Sequence, residues 1–183
     1  MLKIKKEKRS ALNLSKGFTL LELLVVIGII GLLASILVVN LSSARRRARD
    51  TKRVSDVRAM QTAVEDYYGK NAFYPTSIGA LVTGNFLPLR PTDPLAPSVC
   101  ANAAANSNDC YFYAYYPASN PYSYHLGSSL EEMGSLLLNQ DRDCVSTSGS
   151  GCPYTSAYTS GFNGADATGC SGTVNRACYD AAQ

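Results

Sequence analysis

The sequence contains few of the residues from which enzyme and metal sites are usually built. It has one histidine, His125, and no two of its six cysteines form a C-x-x-C pair. This composition does not predict a zinc site. No G-x-S-x-G segment or phosphate-binding glycine motif accompanies His125, although a Ser-His-Asp group assembled by the fold stays open. The sequence therefore predicts a protein that is not an enzyme.

Charge and proline are both scarce near the start of the chain. Residues 18–41 hold a single charged residue, Glu22, and no proline precedes Pro75. An apolar run of this length matches a hydrocarbon core roughly 30 Å thick, so we predict a membrane-spanning helix over residues 18–41. A buried carboxylate costs on the order of 2.5–3.5 kcal/mol at the centre of such a helix and less near the interface. We expect Glu22 to find its partner outside this chain.

The residues that open this run carry a specific motif. Residues 16–22 read K-G-F-T-L-L-E, which resembles the class III signal of type IV prepilins and type II secretion pseudopilins. The resemblance implies a cytoplasmic leader over residues 1–17, cleavage between Gly17 and Phe18, N-methylation of Phe18 and a role for Glu22 in assembly. An ordinary secretory signal would instead be cleaved after its apolar region. A plain membrane anchor fits the length but does not explain the motif.

A second stretch carries the same resemblance. Residues 67–75 read Y-Y-G-K-N-A-F-Y-P, and Asp93-Pro94 follows, which resembles the major pseudopilin of type II secretion and related pilins. The implied fold is α+β and type IV pilin-like. Its long N-terminal membrane-spanning helix packs on a small antiparallel β-sheet, and its C-terminal region is loop-rich and stapled by disulfides.

The implied function is that of a structural subunit of a type IV pilus-like filament. The resemblance implies three partners: a prepilin peptidase, an assembly ATPase and a platform membrane protein. The subunit would first be a single-pass protein of the cytoplasmic membrane and then join an extracytoplasmic, homo-oligomeric filament. Two alternatives stay open: a type II secretion pseudopilin that acts in export, and a membrane-anchored extracytoplasmic binding or enzymatic domain.

Residues 42–70 are expected to continue the first helix. Apolar or large side chains recur three and four residues apart at Val54, Val57, Gln61, Val64 and Tyr68, which predicts one face packed on a globular head over residues 71–183. The basic cluster at residues 45–49 could bind nucleic acid or anionic lipid. We favour a solvated helix face or one close to lipid headgroups, so a nucleic-acid partner is not indicated.

Local patterns predict further elements in the head. Aromatic-rich residues 111–116 and 122–126 flank a proline-containing turn and predict a β-hairpin. Short helices are expected at residues 78–82 and at 133–138, the second after a capping box formed by Ser129 and Glu132. Four prolines within residues 87–99 predict no regular structure there.

The cysteines of the C-terminal half predict that disulfides stabilise it. All six cysteines follow position 99, and their even number favours three disulfides in an oxidising compartment. Fifteen connectivities are possible. We favour sequential neighbours, which close short loops: Cys100–Cys110, Cys144–Cys152 and Cys170–Cys178.

No cofactor is firmly predicted, but calcium is one candidate. Hard calcium ions bind carboxylate and amide oxygens, and these are offered by Asp141, Asp143, Asn163 and Asp166. The pattern is not an EF-hand, but C-terminal calcium loops occur in the resembled pseudopilins. The alternative is that these side chains simply form solvated turns.

The predicted cleavage site can be tested directly. We expect Gly17→Ala, or a larger side chain at this position, to leave the full-length precursor in the membrane, because the peptidase must seat this residue closely. Mass spectrometry of the mature protein is the measurement. A mature chain that starts anywhere other than Phe18 would contradict the family resemblance.

Overall fold

A computed structural model describes residues 17–95, 111–170 and 176–183, and the side chains of residues 36–40 lie outside this description. The chain forms two compact units, with the boundary between Ser42 and Ser43. The elements in chain order are helix α1 (Leu20–Asn71), helix α2 (Ile78–Thr83), strand β1 (Tyr111–Tyr116), strand β2 (Ser123–Leu130), a 3-10 helix (Leu136–Gln140) and strand β3 (Ala177–Ala182).

The first unit contains the apolar start of α1. Every large apolar side chain from Phe18 to Leu33 keeps between 47% and 85% of its surface exposed. Among the described residues, no helix combines the length and the apolar character that a membrane crossing requires. The span over residues 18–41 therefore stays a prediction.

Thr19 and Glu22 form a capping box at the first turn of α1. The backbone N–H and the hydroxyl of Thr19 donate hydrogen bonds to Glu22 Oε2, at 3.0 and 2.8 Å. The Glu22 N–H donates in return to Thr19 Oγ1 at 3.2 Å. This T-x-x-E arrangement satisfies backbone donors that a helix start leaves free. Glu22 therefore has a local hydrogen-bond partner, but Thr19 carries no charge, so the cationic partner expected outside this chain stays a prediction.

The second unit begins with the amphipathic part of α1. Its buried apolar side chains are Val54, Val57, Met60, Ala63 and Val64. The predicted face is shifted at two positions, because Gln61 is only half-buried and Tyr68 is exposed, while Met60 and the half-buried Tyr67 turn toward the core. The helix ends at Asn71, two residues beyond Gly69.

The three strands form one antiparallel sheet in the order β1-β2-β3. Successive side chains of a strand point to opposite faces. One face contributes Tyr113, Tyr124, Leu126, Leu130 and Tyr179 to the core that includes α1. The other face places Phe112, Ala114 and Cys178 against Phe162 and Cys170 of the C-terminal loops. The sheet is therefore covered on both faces.

The predicted hairpin is confirmed, since β1 and β2 pair antiparallel with Tyr113 opposite Leu126. Strand β2 continues to Leu130, so Ser129 lies within a strand and the capping box predicted there is wrong. The 3-10 helix is capped instead by Ser135, whose hydroxyl accepts from the Leu137 N–H at 3.3 Å. Strand β3 was not predicted, because its sequence lies in a tail with few aliphatic residues. Within the stretch predicted to lack regular structure, residues 96–99 lie outside the described residues.

A buried arginine on α1 joins three separate parts of the second unit. Arg53 is fully buried. Its Nε and Nη2 donate to Asp93 at 2.5 and 2.9 Å, and its Nη1 donates to Asp50 and Glu131 at 2.7 Å each. Arg49 adds two bonds to the Glu131 carboxylate, at 2.7 and 2.6 Å. The network ties α1 to the segment after α2 and to the end of β2.

Pairing within this network favours the charged forms of Arg53 and Glu131. Burial alone lowers the pKa of Arg53, but hydrogen bonds with Asp93 and Glu131 outweigh it, and the pKa is raised overall. Hydrogen bonds from Arg49 and then Arg53 lower the pKa of Glu131 to about 2, against the opposing effect of burial. Each charge thus has a compensating partner, which a buried ion requires.

We expect Arg53→Met to reduce the free energy of unfolding by about 3–5 kcal/mol, because it leaves buried carboxylates without their cation. Urea unfolding of the full chain in detergent, followed by circular dichroism, measures this. The control is Lys52→Met, which removes an exposed i,i+4 pair with Asp56 and should change stability by only about 0.5 kcal/mol. Equal stability of the two variants would contradict the role given to Arg53.

Candidate functional site

Three carboxylates converge in the C-terminal loops. One oxygen from each of Asp141, Asp143 and Asp166 lies within 4.8 Å of the other two. Asp141 follows the 3-10 helix directly, and Asp143 has a φ of 55°. The Asp166 N–H donates to Asp143 Oδ1 at 3.3 Å, and the Gly164 N–H donates to the Cys144 carbonyl at 2.8 Å, so backbone donors of one loop bond to the other. The sequence analysis grouped these three acids as candidate calcium ligands, and the structure brings them together.

A fourth acid, Asp180 on β3, positions the loop that carries two of these carboxylates. Its Oδ1 accepts from the N–H groups of Arg142 and Asp143, and its Oδ2 accepts from the Cys144 N–H, all at 2.9 Å. Three consecutive amides thus surround one buried carboxylate. A side chain at Gly164 would collide with Asp180. The glycine therefore allows the loop around residue 164 to pass close to the Asp180 carboxylate. Sequence reasoning did not identify Asp180.

His125 lies behind Asp180 and completes a buried polar group. Its Nε2 is 2.7 Å from Asp180 Oδ2, and its Nδ1 is 2.7 Å from Ser146 Oγ. The imidazole stacks on the Phe162 ring with centroids 3.8 Å apart. Burial lowers the pKa of His125 and outweighs the opposing effect of Asp180. The neutral imidazole can therefore donate to Asp180 while accepting from Ser146.

These three residues have the composition of a Ser-His-Asp triad but not its accessibility. His125, Ser146 and Asp180 are each at most 1% exposed. The single proton of the Ser146 hydroxyl is shared between His125 Nδ1 and the Phe162 carbonyl oxygen at 3.1 Å, and the hydroxyl oxygen accepts from the Phe162 N–H at 2.9 Å. A nucleophile needs an open approach for its substrate. The geometry supports a structural hydrogen-bond group.

The converging carboxylates have unsatisfied oxygens. Asp141 Oδ2 and Asp166 Oδ1 are inaccessible to solvent and have no hydrogen-bond partner in the described residues. Burial, together with the charges of Asp166, Asp180 and Asp143, raises the pKa of Asp141 to about 8. Burial and the neighbouring Asp143 and Asp180 also raise the pKa of Asp166. Such a group of oxygens fits a hard divalent cation, which would supply the missing positive charge.

The fourth predicted ligand, Asn163, has a local role in the structure. Its Oδ1 accepts from the Ala165 N–H at 3.0 Å, and its backbone forms an isolated bridge with Val145. A second group of potential ligands combines His125 and Asp180 with Cys144. Cys144 is part of a disulfide, so it offers no thiolate there.

Two disulfides lie next to the acidic cluster. Cys144 pairs with Cys152, and Cys170 pairs with Cys178, the same two pairs that the sequence analysis favoured. The first follows Asp143 directly, and the second joins the loop after Asp166 to β3. The third favoured pair, Cys100–Cys110, lies outside the described residues.

The residues of the predicted processing site lie before α1. Gly17 is exposed, and Phe18 is 85% exposed. The leader residues 1–16 lie outside the described part of the chain, so cleavage and N-methylation stay predictions.

Comparisons with known proteins point to one family. Residues 12–38 match the prokaryotic N-terminal methylation motif. The type IV wide pilus major component PilA4 of Thermus thermophilus is 39% identical over 93 residues, which cover 51% of this chain and 69% of that protein. The chain belongs to the type IV pilin and type II secretion pseudopilin family.

Further relatives are type II secretion system core protein G from two other bacteria. The protein from Dickeya chrysanthemi is 42% identical over 85 residues, covering 45% of this pilin-family chain and 52% of the relative. The protein from Escherichia coli (strain K12) is 46% identical over 67 residues, covering 37% and 46%. The chain thus spans about half the length of these relatives. Their names describe secretion and pilus components, not enzymes. No solved structure matches the chain.

The acidic cluster predicts a pH dependence of stability. A carboxyl group with a raised pKa holds its proton in the folded state after the unfolded chain has lost it. The contribution of these carboxyl groups to stability therefore falls as pH rises from about 4 to about 8. The lowered pKa of His125 acts in the opposite direction as pH rises toward its usual value, so the carboxyl effect is read from the difference between a variant and the parent. We expect the melting temperature in chelator to fall less steeply over this range for Asp141→Asn than for the parent, because the amide does not ionise. Adding calcium at about pH 8 should stabilise the parent more than this variant.

Thermal melts followed by circular dichroism measure both effects. Asp66→Asn on the exposed surface of α1 is the matched control and should keep the parent's slope. Identical pH slopes for the Asp141 variant and the parent would contradict the raised pKa, and an identical response to calcium would contradict the cation site.

Proposed function

We propose that this chain is a structural subunit of a type IV pilus-like helical filament. In this proposal it is inserted as a prepilin, cleaved after Gly17 and assembled through its apolar N-terminal helix. The observation that carries the proposal is the exposed apolar surface of α1 between Phe18 and Leu33. Membership of the pilin and pseudopilin family supports the same function.

The exposed apolar surface of α1 is costly to leave in water. Soluble monomers rarely leave contiguous apolar patches larger than a few hundred Å² in water. Removing apolar area from water contributes about 25 cal/mol per Å². A bilayer would cover the helix before assembly, and the helices of neighbouring subunits would cover it in the filament. The same residues thus serve storage and assembly.

The family implies the remaining partners and the location. A prepilin peptidase would remove residues 1–17, and an assembly ATPase and a platform membrane protein would drive polymerisation of a homo-oligomeric filament. The subunit would move from the cytoplasmic membrane to an extracytoplasmic filament. The two disulfides support this location for the head, because disulfides persist in oxidising compartments.

A second candidate function is that of a type II secretion pseudopilin. The resemblance to type II secretion system core protein G supports it, with 42% identity to the Dickeya chrysanthemi protein. In this case the same helix would assemble a short filament that acts in protein export. Imaging of surface filaments and assay of secreted proteins in a deletion strain would separate the two functions.

We also propose that the acidic cluster holds calcium. Asp141, Asp143 and Asp166 would supply carboxylate oxygens, and the Asp180 hydrogen bonds would hold the first two in place. The buried oxygens of Asp141 and Asp166 that lack partners support this assignment. The ion would provide positive charge that orders the C-terminal loops, and its role would be structural.

Glu22 provides the sharpest test of the assembly mechanism. We propose that its carboxylate pairs with the Phe18 amine of a neighbouring subunit, which would neutralise two costly charges and set the axial register. The competing role is local capping through Thr19. Glu22→Gln separates the two roles, because glutamine can still complete a capping box but has no charge.

We expect both Glu22→Ala and Glu22→Gln to lose most filament assembly, while membrane insertion and cleavage continue. Electron microscopy of sheared filaments measures assembly, and mass spectrometry of membrane fractions checks cleavage. Thr19→Val, which weakens the cap and keeps the charge, is the control and should assemble. Normal filament yield from cleaved Glu22→Gln subunits would reduce the role of Glu22 to capping.

A further inference from the structure

The loop after β2 exposes two large apolar side chains. Met133 is 51% exposed and Leu136 is 83% exposed. We call residues 131–137 the apical loop. A turn at Gly134, with a φ of 75°, lies between the two side chains. A groove of about 350 Å³ borders the loop, and Leu136, Ser135, Arg47 and Thr51 contribute to its lining.

The base of the apical loop is firmly attached to α1. The N–H groups of Glu131 and Glu132 both donate to the Asp50 carboxylate, at 3.0 to 3.1 Å. The Glu132 side chain pairs with Arg47 at 3.1 Å. Main-chain and side-chain contacts thus hold the exposed apolar groups next to the basic part of α1.

The charges around the loop leave an excess of positive charge. Arg47, Arg49 and Arg53 face four acids, which are Asp50, Asp93, Glu131 and Glu132. Arg45 and Arg46, on the exposed surface of α1, bring the local sum to one positive charge. Apolar side chains beside excess arginine are the combination that binds the surface of an anionic bilayer.

The position in the chain favours a bilayer as the occupant of this surface. Arg45 and Arg46 follow Leu41, the last residue of the apolar run, by four and five positions. If residues 18–41 span the bilayer, this short separation in sequence tethers both arginines close to the headgroup layer.

We propose that the apical loop, with Arg45 and Arg46, forms a docking surface for anionic phospholipid headgroups in the membrane-stored subunit. This inference rests on the proposed membrane-inserted precursor. Met133 and Leu136 would enter the headgroup layer while the arginines contact lipid phosphates. The head would then be held at the bilayer surface until assembly withdraws the subunit.

The absence of tryptophan from the chain permits a clean test. A single tryptophan introduced by Leu136→Trp reports on this surface in the full chain, reconstituted at one copy per nanodisc. We expect blue-shifted emission and strong quenching by brominated lipids in discs that contain phosphatidylglycerol. Discs of phosphatidylcholine alone should give weak quenching. Arg45→Gln with Arg46→Gln should lower the ratio of docked to free loop by about fivefold for each charge removed.

The matched control is Tyr154→Trp, at a side chain that is 41% exposed. Tyr154 shares a groove with Tyr68, which lies 21 positions beyond Arg47 on α1, or about 30 Å along the helix. Its tryptophan should not be quenched. Unchanged circular dichroism and melting temperature of both variants would show that the fold is retained.

The outcomes separate the docking surface from the proposed function. An unquenched tryptophan at position 136 in a chain that co-floats with lipid and resists alkaline extraction would overturn the docking surface and leave the subunit function intact. A chain that does not associate with lipid would contradict the membrane-inserted precursor itself. Equal quenching in phosphatidylcholine discs would overturn the anionic selectivity. If the tryptophan at position 136 is buried only when several copies of the chain share one disc, the occupant is a second subunit. This result would overturn the lipid assignment.

Discussion

The second unit, residues 43–183, depends on the burial of one guanidinium. Arg53 meets three carboxylates that come from α1, from the segment after α2 and from the end of β2. An ion placed in the interior costs several kcal/mol unless each charge is paired. This requirement makes the three segments interdependent, because no one of them can move without leaving a buried charge uncompensated. It also fixes the apical loop, whose two glutamates belong to the same set of contacts.

The opposite face of the sheet depends on a second buried charge. Asp180 is compensated by three backbone amides and an imidazole. Since the amides belong to the loop of Asp141 and Asp143, the sheet positions the acidic cluster without contributing a ligand to it. The disulfides attach the same loops to their neighbours. A cation and the covalent bridges can therefore stabilise the same region, which has few aliphatic residues with which to form a core of its own.

The sequence alone determined the features that depend on neighbouring residues. The prepilin-like motif, the continuous helix, the β1-β2 hairpin and the favoured pairing of Cys144–Cys152 and Cys170–Cys178 all follow from patterns within a few positions. The Thr19–Glu22 capping box was equally local and was readable from T-x-x-E spacing. The errors were also local: Ser129 and Glu132 match a helix cap, but pairing between β2 and β3 places Ser129 in a strand. Tertiary pairing overrides a cap when the two compete for the same backbone.

Only the tertiary structure decided which distant residues meet. His125, Ser146 and Asp180 span more than fifty positions in the sequence, and no periodicity relates them. The Arg53 partners Asp93 and Glu131 are 40 and 78 residues away. The sequence offered Asp141 and Asp166 either as calcium ligands or as turn residues, and only the packing of two loops placed their oxygens together. Strand β3 had no apolar alternation strong enough to identify it, because one of its faces carries Cys178 and Asp180 into a polar, disulfide-linked layer. The contacts of Arg53 and Asp180 compensate buried charge between residues far apart in the sequence. Local sequence patterns do not encode such contacts.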